Sequence, residues 1–279
     1  MDTLSPAPAL APSDAQPPAS ADSVAPSADA QGKILAPPAP VPACVNCGVA
    51  RAGRFCADCG QPATDGRLTV RGVAANVFSS VVDVDRGLLH TVVGLTVRPG
   101  QVVRDYLGGR TVPYTGPGRY FAILVTLVVL VYVQGGPAAE LARLSGASGQ
   151  AGALQFLQTH MNLLIAVNVP FSALATRVVY RRSGLNYAEH IVYNLYTAAH
   201  QSLLLIPFAV AGVLFHSLPL MMGGYSVGSF LYLSWAAAGM FRVSAMRAVL
   251  LTLLSQAVMM VVALALGVVI GAAYAAATL

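Results

Sequence analysis

Charge is what this chain is short of. Asp, Glu, Lys and Arg make up 10% of its 279 residues, against about a quarter in a soluble domain. The shortage is uneven: all eleven acidic residues lie at or before Glu189, and beyond residue 190 the only formal charges are Arg242 and Arg247. A second half so poor in charge cannot keep a soluble surface wet, which argues against an ordinary soluble enzyme or binding domain. Walker loops, an HExxH helix and paired carboxylates of the glycosidase kind are missing as well. The N-terminal residues lack a basic region followed by an apolar run, so no cleavable signal peptide is expected and the first span should insert itself. What is abundant is apolar: 56% of residues, with a mean hydropathy of +0.66. Lipid is therefore the expected solvent.

The chain divides by composition. Residues 1–42 are dominated by Ala, Pro, Ser and Asp and offer too little apolar surface to offset chain entropy, which predicts a disordered tail. A cysteine module occupies residues 43–67. Residues 68–118 are amphipathic without being long enough anywhere to cross a bilayer: Val70, Val73, Val77 and Val81 beside Ala74, Phe78 and Val82, then Leu88, Val92 and Leu95 beside Leu89 and Val93, recur at helical spacing. These predict two helices on the membrane surface or packed under a bundle. Arg98, Pro99 and Gly100 are read as a break, followed by a short turn that Gly108 and Gly109 stop.

Residues 119–279 read as a helix bundle. Crossing about 30 Å of hydrocarbon takes about 20 apolar residues, and charge-free windows predict five spans, at about 120–139, 161–180, 190–214, 219–241 and 248–277, the third and fourth separated at His216 to Pro219. The fold class is thus an all-α membrane protein with juxtamembrane helices and a small N-terminal four-cysteine ribbon. Alternate loops place Arg98, Arg104, Arg110, Arg119, Arg177, Arg181, Arg182, Arg242 and Arg247 on one side and Arg143 alone on the other. By the positive-inside rule the N-terminus is cytoplasmic and the C-terminus outside, which accounts for a pI near 9.2 without a nucleic-acid partner. The expected location is a bacterial inner membrane.

Cys44-x2-Cys47 and Cys56-x2-Cys59 are eight residues apart, each pair followed directly by a glycine, Gly48 or Gly60. Two such knuckles bring four thiolates to the corners of a tetrahedron, which predicts one structural Zn²⁺ per chain with no open position for catalysis. A rubredoxin-like iron site and two disulfides are the competing readings. Arg51, Arg54, Arg67 and Arg71 surround the knuckles, with Phe55 alone available to stack a base, so they read as a solvated or headgroup-facing surface.

With the knuckles, Arg98-Pro99-Gly100, the run Arg104 to Arg110, Tyr114, Pro117 and Tyr120, and Asn186-Tyr187-x-Glu189-His190, the chain between residues 44 and about 205 resembles the DUF3667 family of bacterial membrane proteins. That resemblance implies architecture and supplies no mechanism.

Two polar constellations remain. Arg98, Arg104, Arg110 and Arg119 with Tyr106, Tyr114 and Tyr120 precede the first span, a set chemically suited to an anionic lipid or phosphorylated amphiphile as well as to topological anchoring. Asp105 cannot face its neighbour Arg104, so its partner is expected to be Arg98 or Arg110. On the third span, Glu189, Tyr193, Tyr196 and His200 form one stripe, and Asn186, His190, Asn194, Thr197 and Gln201 line its mouth and the neighbouring stripe. Such groups suit either a polar path or interhelical hydrogen bonding. Residues 98–120 and the head of the third span are expected to share one cytoplasmic site. Gly224-x-Ser226-x-Gly228 lacks the strand, acid and histidine of a nucleophile elbow and reads as small-residue helix packing, as do Ala263, Gly267, Gly271 and Ala275. No catalytic set is read. The expectation is a membrane module in which ribbon and surface helices recruit or sense a protein or lipid partner, with a small transporter, then a lipid-modifying enzyme, as alternatives.

Overall fold

The computed structural model describes residues 42–51, 53–63, 67–73, 87–134, 139, 140, 143 and 160–278. The tail at 1–41, most of the first predicted surface helix (74–86) and the end of the first predicted span lie outside them, as do the side chains of Gly267, Gly271 and Ala275. Among the described residues there is no strand, only two isolated antiparallel bridges, Ala43 with Ala50 and Phe55 with Pro62.

Among the described residues, seven α-helices with defined bounds follow the ribbon: α1 (Gly87–Val97), α2 (Pro99–Leu107), α3 (Pro117–Gln134), α4 (Met161–Val179), α5 (Tyr187–Leu214), α6 (Tyr225–Phe241) and α7 (Ala245–Thr278). Three are long and apolar enough to cross a membrane, over Asn162–Val179, Tyr187–Leu214 and Ala245–Ala265; α1 and Pro117–Val133 are shorter apolar helices. The three differ in burial: 39% of the α5 window is buried in the protein, against 22% for α4 and 11% for α7. α5 is therefore the central post. It packs against α3, α4 and α6, while α7 leans on α6 and α4. Leu163, Val167, Leu174, Leu250, Leu253, Val261 and Leu264 point outward, each at least half exposed, an apolar surface of the kind that suits a lipid environment.

The stretch after Arg98 is not a turn. Pro99 ends α1, because it has no N–H to give, and by the same property starts α2 at its first position, so residues 99–107 form a second short helix. Gly100 then lies against the backbone of α6: an added Cβ would sit 2.6 Å from Gly239 Cα. This backbone-to-backbone crossing locks the juxtamembrane region onto the bundle.

At the far end, His216 takes a left-handed conformation (φ 47°) after α5. Pro219–Gly224 is a π-helical turn leading directly into α6. The aromatic ring of Phe208 fills the space that side chains at Gly224 and Gly228 would need, so the glycine pair serves helix packing. Glu140 binds both Arg143 (2.6 Å) and His216 (2.8 Å) there.

Candidate functional site

The two cysteine knuckles have the same backbone design. In the first, Cys44 N–H donates to Val49 C=O and Gly48 N–H to Cys44 C=O; in the second, Cys56 N–H donates to Gln61 C=O and Gly60 N–H to Cys56 C=O, all at 2.8–2.9 Å. Each turn closes through a glycine in the left-handed region, φ +79° at Gly48 and +72° at Gly60, where a side chain would be strained. The knuckles interlock, with Cys44 Sγ 3.6 Å from Cys59 Sγ and Cys47 Sγ 3.6 Å from Cys56 Sγ, and all four sulfurs lie within 4.8 Å of one another. No disulfide joins them.

Four sulfurs about 2.3 Å from a central ion would be about 3.8 Å apart, so the spacing fits a four-coordinate metal. The electrostatics agree. The backbone N–H groups of Cys47 and Asn46 draw the Cys44 thiol down to about 6. At Cys47 the Val49 N–H favours the thiolate, but desolvation and three neighbouring sulfurs outweigh it and push the thiol up to about 12. Thiols crowded this closely cannot all ionise unless a cation sits between them.

The ribbon is joined to the helices by Gln61 and Asn46, which sequence reasoning did not single out as site residues, and by Arg110, Arg67, Asn186 and Glu189, which it did name. Gln61, directly after the second knuckle, is fully buried. Its Nε2 donates to Gly109 C=O (2.6 Å) and Thr111 Oγ1 (3.1 Å), and its Oε1 accepts from the Thr111 and Val112 N–H groups (3.0 and 3.2 Å). Arg110 Nε donates to Asn46 Oδ1 at 3.1 Å. Farther along, Arg67 grips both carboxylate oxygens of Glu189 (3.0 and 2.7 Å) and the Gly184 carbonyl (2.7 Å). Arg67 is thus a partner of the third predicted span, although its side chain stays 61% exposed. Asn186 and Glu189 cap α5 reciprocally, and Asn186 Nδ2 also donates to Leu68 C=O at 3.0 Å.

The arginines and tyrosines before the first predicted span separate into different tasks. Asp105 meets Arg110 (3.7 Å), as expected, and also accepts from the Tyr114 hydroxyl (3.0 Å). Burial and that carboxylate raise Tyr114 to about 12. Tyr106 packs edge-on against Tyr196, whose hydroxyl donates to Thr115 C=O at 2.7 Å. Arg98 precedes α2 and is exposed, and Arg119 is buried at the head of α3. Arg104 borders a cavity of about 440 Å³ together with Glu189, Arg242, Leu107, Leu185 and Phe241. Its Nη1 is buried with no hydrogen-bond partner among the described residues.

The polar residues of α5 also diverge. His200 is held by Tyr120 on Nδ1 (2.9 Å) and Thr96 on Nε2 (3.2 Å) and stacks on Tyr232, an interhelical joint. His190 Nδ1 and Asn194 Nδ2 converge on Thr176 Oγ1 (3.2 and 3.0 Å). Asn194 also borders a second cavity, of about 250 Å³, between α4, α5 and α7.

No curated protein and no solved structure matches the chain. A family model does: over residues 85–129, which hold α1, α2 and the first turns of α3, the chain matches the family described as Protein of unknown function (DUF3667).

Proposed function

We propose that this chain is a five-span integral membrane protein that binds the phosphate of an anionic phospholipid at its cytoplasmic mouth, braced there by a zinc ribbon. For the span count, α3 adds about 27 Å of helix with no charge after Arg119, and the π-helical turn with α6 makes one continuous helical stretch from Pro219 to Phe241. The arginine asymmetry puts the N-terminus in the cytoplasm of a bacterial cell and the C-terminus outside. Zinc is the ion that a closed set of four thiolates in a reducing compartment favours. The exposed apolar side chains Val45, Val49 and Phe55 on the ribbon support a protein partner there.

The observation that carries the lipid reading is the cavity shared by Arg104 and Arg242. Arg104 and Arg242 border it together with the apolar Leu107, Leu185 and Phe241, the mix of residue types that a phosphate headgroup with acyl chains calls for. Glu189 borders the same space, but Arg67 already balances its charge. Charge-assisted hydrogen bonds contribute about 1.5–3 kcal/mol each. Arg104→Gln combined with Arg242→Gln should therefore weaken phosphatidylglycerol binding to the delipidated protein at least tenfold, leaving phosphatidylcholine binding unchanged. Equal phosphatidylglycerol affinity in a folded double variant would remove the proposal.

A further inference from the structure

α7 is the least covered of the three long apolar helices, with 11% of its window buried in the protein, yet near the middle of that window it carries an exposed carboxamide, Gln256. Gln256 does not stand alone. It borders the second cavity, a groove of about 250 Å³ that Asn168 of α4 and Gln201 of α5 border too. Asn168 is exposed and Gln201 partly so, which makes the groove a feature of the outer surface of the bundle. Ser172 Oγ donates to Asn168 Oδ1 at 2.7 Å. No hydrogen bond among the described residues engages the carboxamide of Gln201 or of Gln256.

The three carboxamides share one depth. Tyr180, directly after α4, packs with Ala248 in the first turn of α7, and a short link joins the end of α4 to the start of α5, so these helix ends lie on one side of the bundle. Counted from that side, Asn168 is 11 residues into α4, Gln201 is 14 into α5 and Gln256 is 11 into α7. The rise is about 16–21 Å within about 30 Å of hydrocarbon. On the outer face of a membrane protein this level meets acyl chains, which neither donate nor accept hydrogen bonds. A carboxamide left there unpartnered is costly. Whatever covers the groove has to bring hydrogen-bonding groups to mid-depth.

A second copy of the chain brings them to that level. Copies of one sequence insert in one orientation, so a two-fold axis along the membrane normal relates them and sets each residue against residues of equal depth. A carboxamide both donates and accepts, which makes the patch its own complement. The surface of α7 also permits close approach. Ala263 follows Gln256 by seven residues, two turns of helix, and is exposed on the same stripe. Gly267 and Gly271 continue it at intervals of four, the spacing that lets two helices in a membrane pack with their backbones close together.

We infer that the protein forms a two-fold dimer within the membrane, its α7 helices packed in parallel and the Gln256 carboxamide of each copy seated in the other's groove beside Asn168 and Gln201. This rests on α4, α5 and α7 crossing the membrane and on nothing at Arg104 or Arg242. Full-length protein carrying a donor or an acceptor fluorophore on an N-terminal tag is reconstituted into vesicles of phosphatidylcholine alone, and energy transfer is followed as the protein is diluted with lipid. The wild type gives transfer that saturates at one partner per chain. Gln256→Leu, which keeps the bulk of the side chain and suits lipid, weakens association at least fivefold, since the symmetry removes each hydrogen bond twice. Ala263→Leu, which bars close approach, weakens it as well. Leu231→Ala, on the exposed face of α6, leaves it unchanged. Asn168→Leu repeats the loss from α4 and decides the matter should the Gln256 variant not fold. The dimer is overturned if the inserted wild type is monomeric at every dilution, if the Gln256 and Asn168 variants associate as the wild type does, or if Leu231→Ala weakens association equally. Protein that alkaline carbonate strips from the vesicles would overturn the membrane reading and the dimer together. An inserted monomer overturns the dimer and leaves the headgroup reading standing, because these vesicles hold no anionic lipid and none of the variants borders the cavity of Arg104 and Arg242.

Discussion

The ribbon and the bundle solve the problem of holding a chain together by opposite means. Among the described residues between 43 and 63 the large apolar side chains Val45, Val49 and Phe55 are exposed, and the buried residues are two cysteines and a glutamine. Nothing there resembles a hydrophobic core. In the bundle the order is reversed: Val103, Tyr120, Leu124, Val192, Tyr196 and Met240 are buried together, and the Tyr120 and Tyr196 hydroxyls among them bond His200 Nδ1 and Thr115 C=O. A segment of about 20 residues cannot bury enough apolar area to fold alone, so its order must come from covalent or coordinate bonds. The lesson is that the two parts should fail independently, under different insults.

Metal removal should give the largest effect. Structural zinc binding is worth about 10–16 kcal/mol at neutral pH and is itself the folding free energy of such a module. A strong chelator, or Cys56→Ser, is expected to abolish ribbon structure while far-ultraviolet circular dichroism of the helices stays within about a tenth of its starting value. Collapse of the helical signal together with metal loss would break the comparison.

The converse insult acts on the bundle. Gly100→Ala places a methyl group against the backbone of Gly239 and Met240, which neither helix can accommodate without moving apart; overpacking of this kind costs about 1–3 kcal/mol. The helices should melt several degrees lower in detergent, with one metal ion per chain still bound by atomic absorption. Loss of metal in parallel with the melting shift would mean that the two parts are not separate.

The smallest effect lies at the opposite end of the bundle, where one polar cluster replaces a ribbon. Hydrogen bonds from Arg143, then His216, hold the Glu140 carboxyl down at about 2, below its ordinary 4.5. A carboxyl with a depressed value contributes stability that is present above pH 4.5 and lost as the pH falls through about 2. A ¹³C titration of the Glu140 carboxyl should show its midpoint near 2, moving upward toward 4.5 in Arg143→Gln. A midpoint near 4.5 in the wild type would show that the cluster does not form.

Legibility in the sequence followed the distance over which each feature is encoded. The cysteine cluster could be read because spacing and glycines within seventeen residues determine it. The long helices were legible from apolar runs, and the break at His216 to Pro219 from its composition. The pairing of Asp105 with Arg110 was within reach because the turn between them is short. Arg98-Pro99-Gly100 misled, since proline is as good an opening for α2 as it is a stop for α1. The long-range pairings were out of reach: Arg67 finds Glu189 across 122 positions and Gln61 finds Thr111 across 50, and no local pattern specifies such partners. Arg242 and Phe241 were read as a loop charge and a span end, because their meaning arises only when α6 meets α2 and α4.

Those separations also dictate an order of events during synthesis. The ribbon leaves the ribosome first and can take up its ion at once, yet Gln61 must wait for residues 109–112 and Arg67 for the head of α5. Seating of the ribbon therefore begins once residues 109–112 are made and is completed only when the head of α5 brings Glu189 to Arg67. A chain in which the head of α5 is misplaced would leave Arg67 without its carboxylate and the ribbon held by Gln61 and Arg110 alone. The Arg67–Glu189 pair thus acts as a clasp that closes only on a correctly threaded protein.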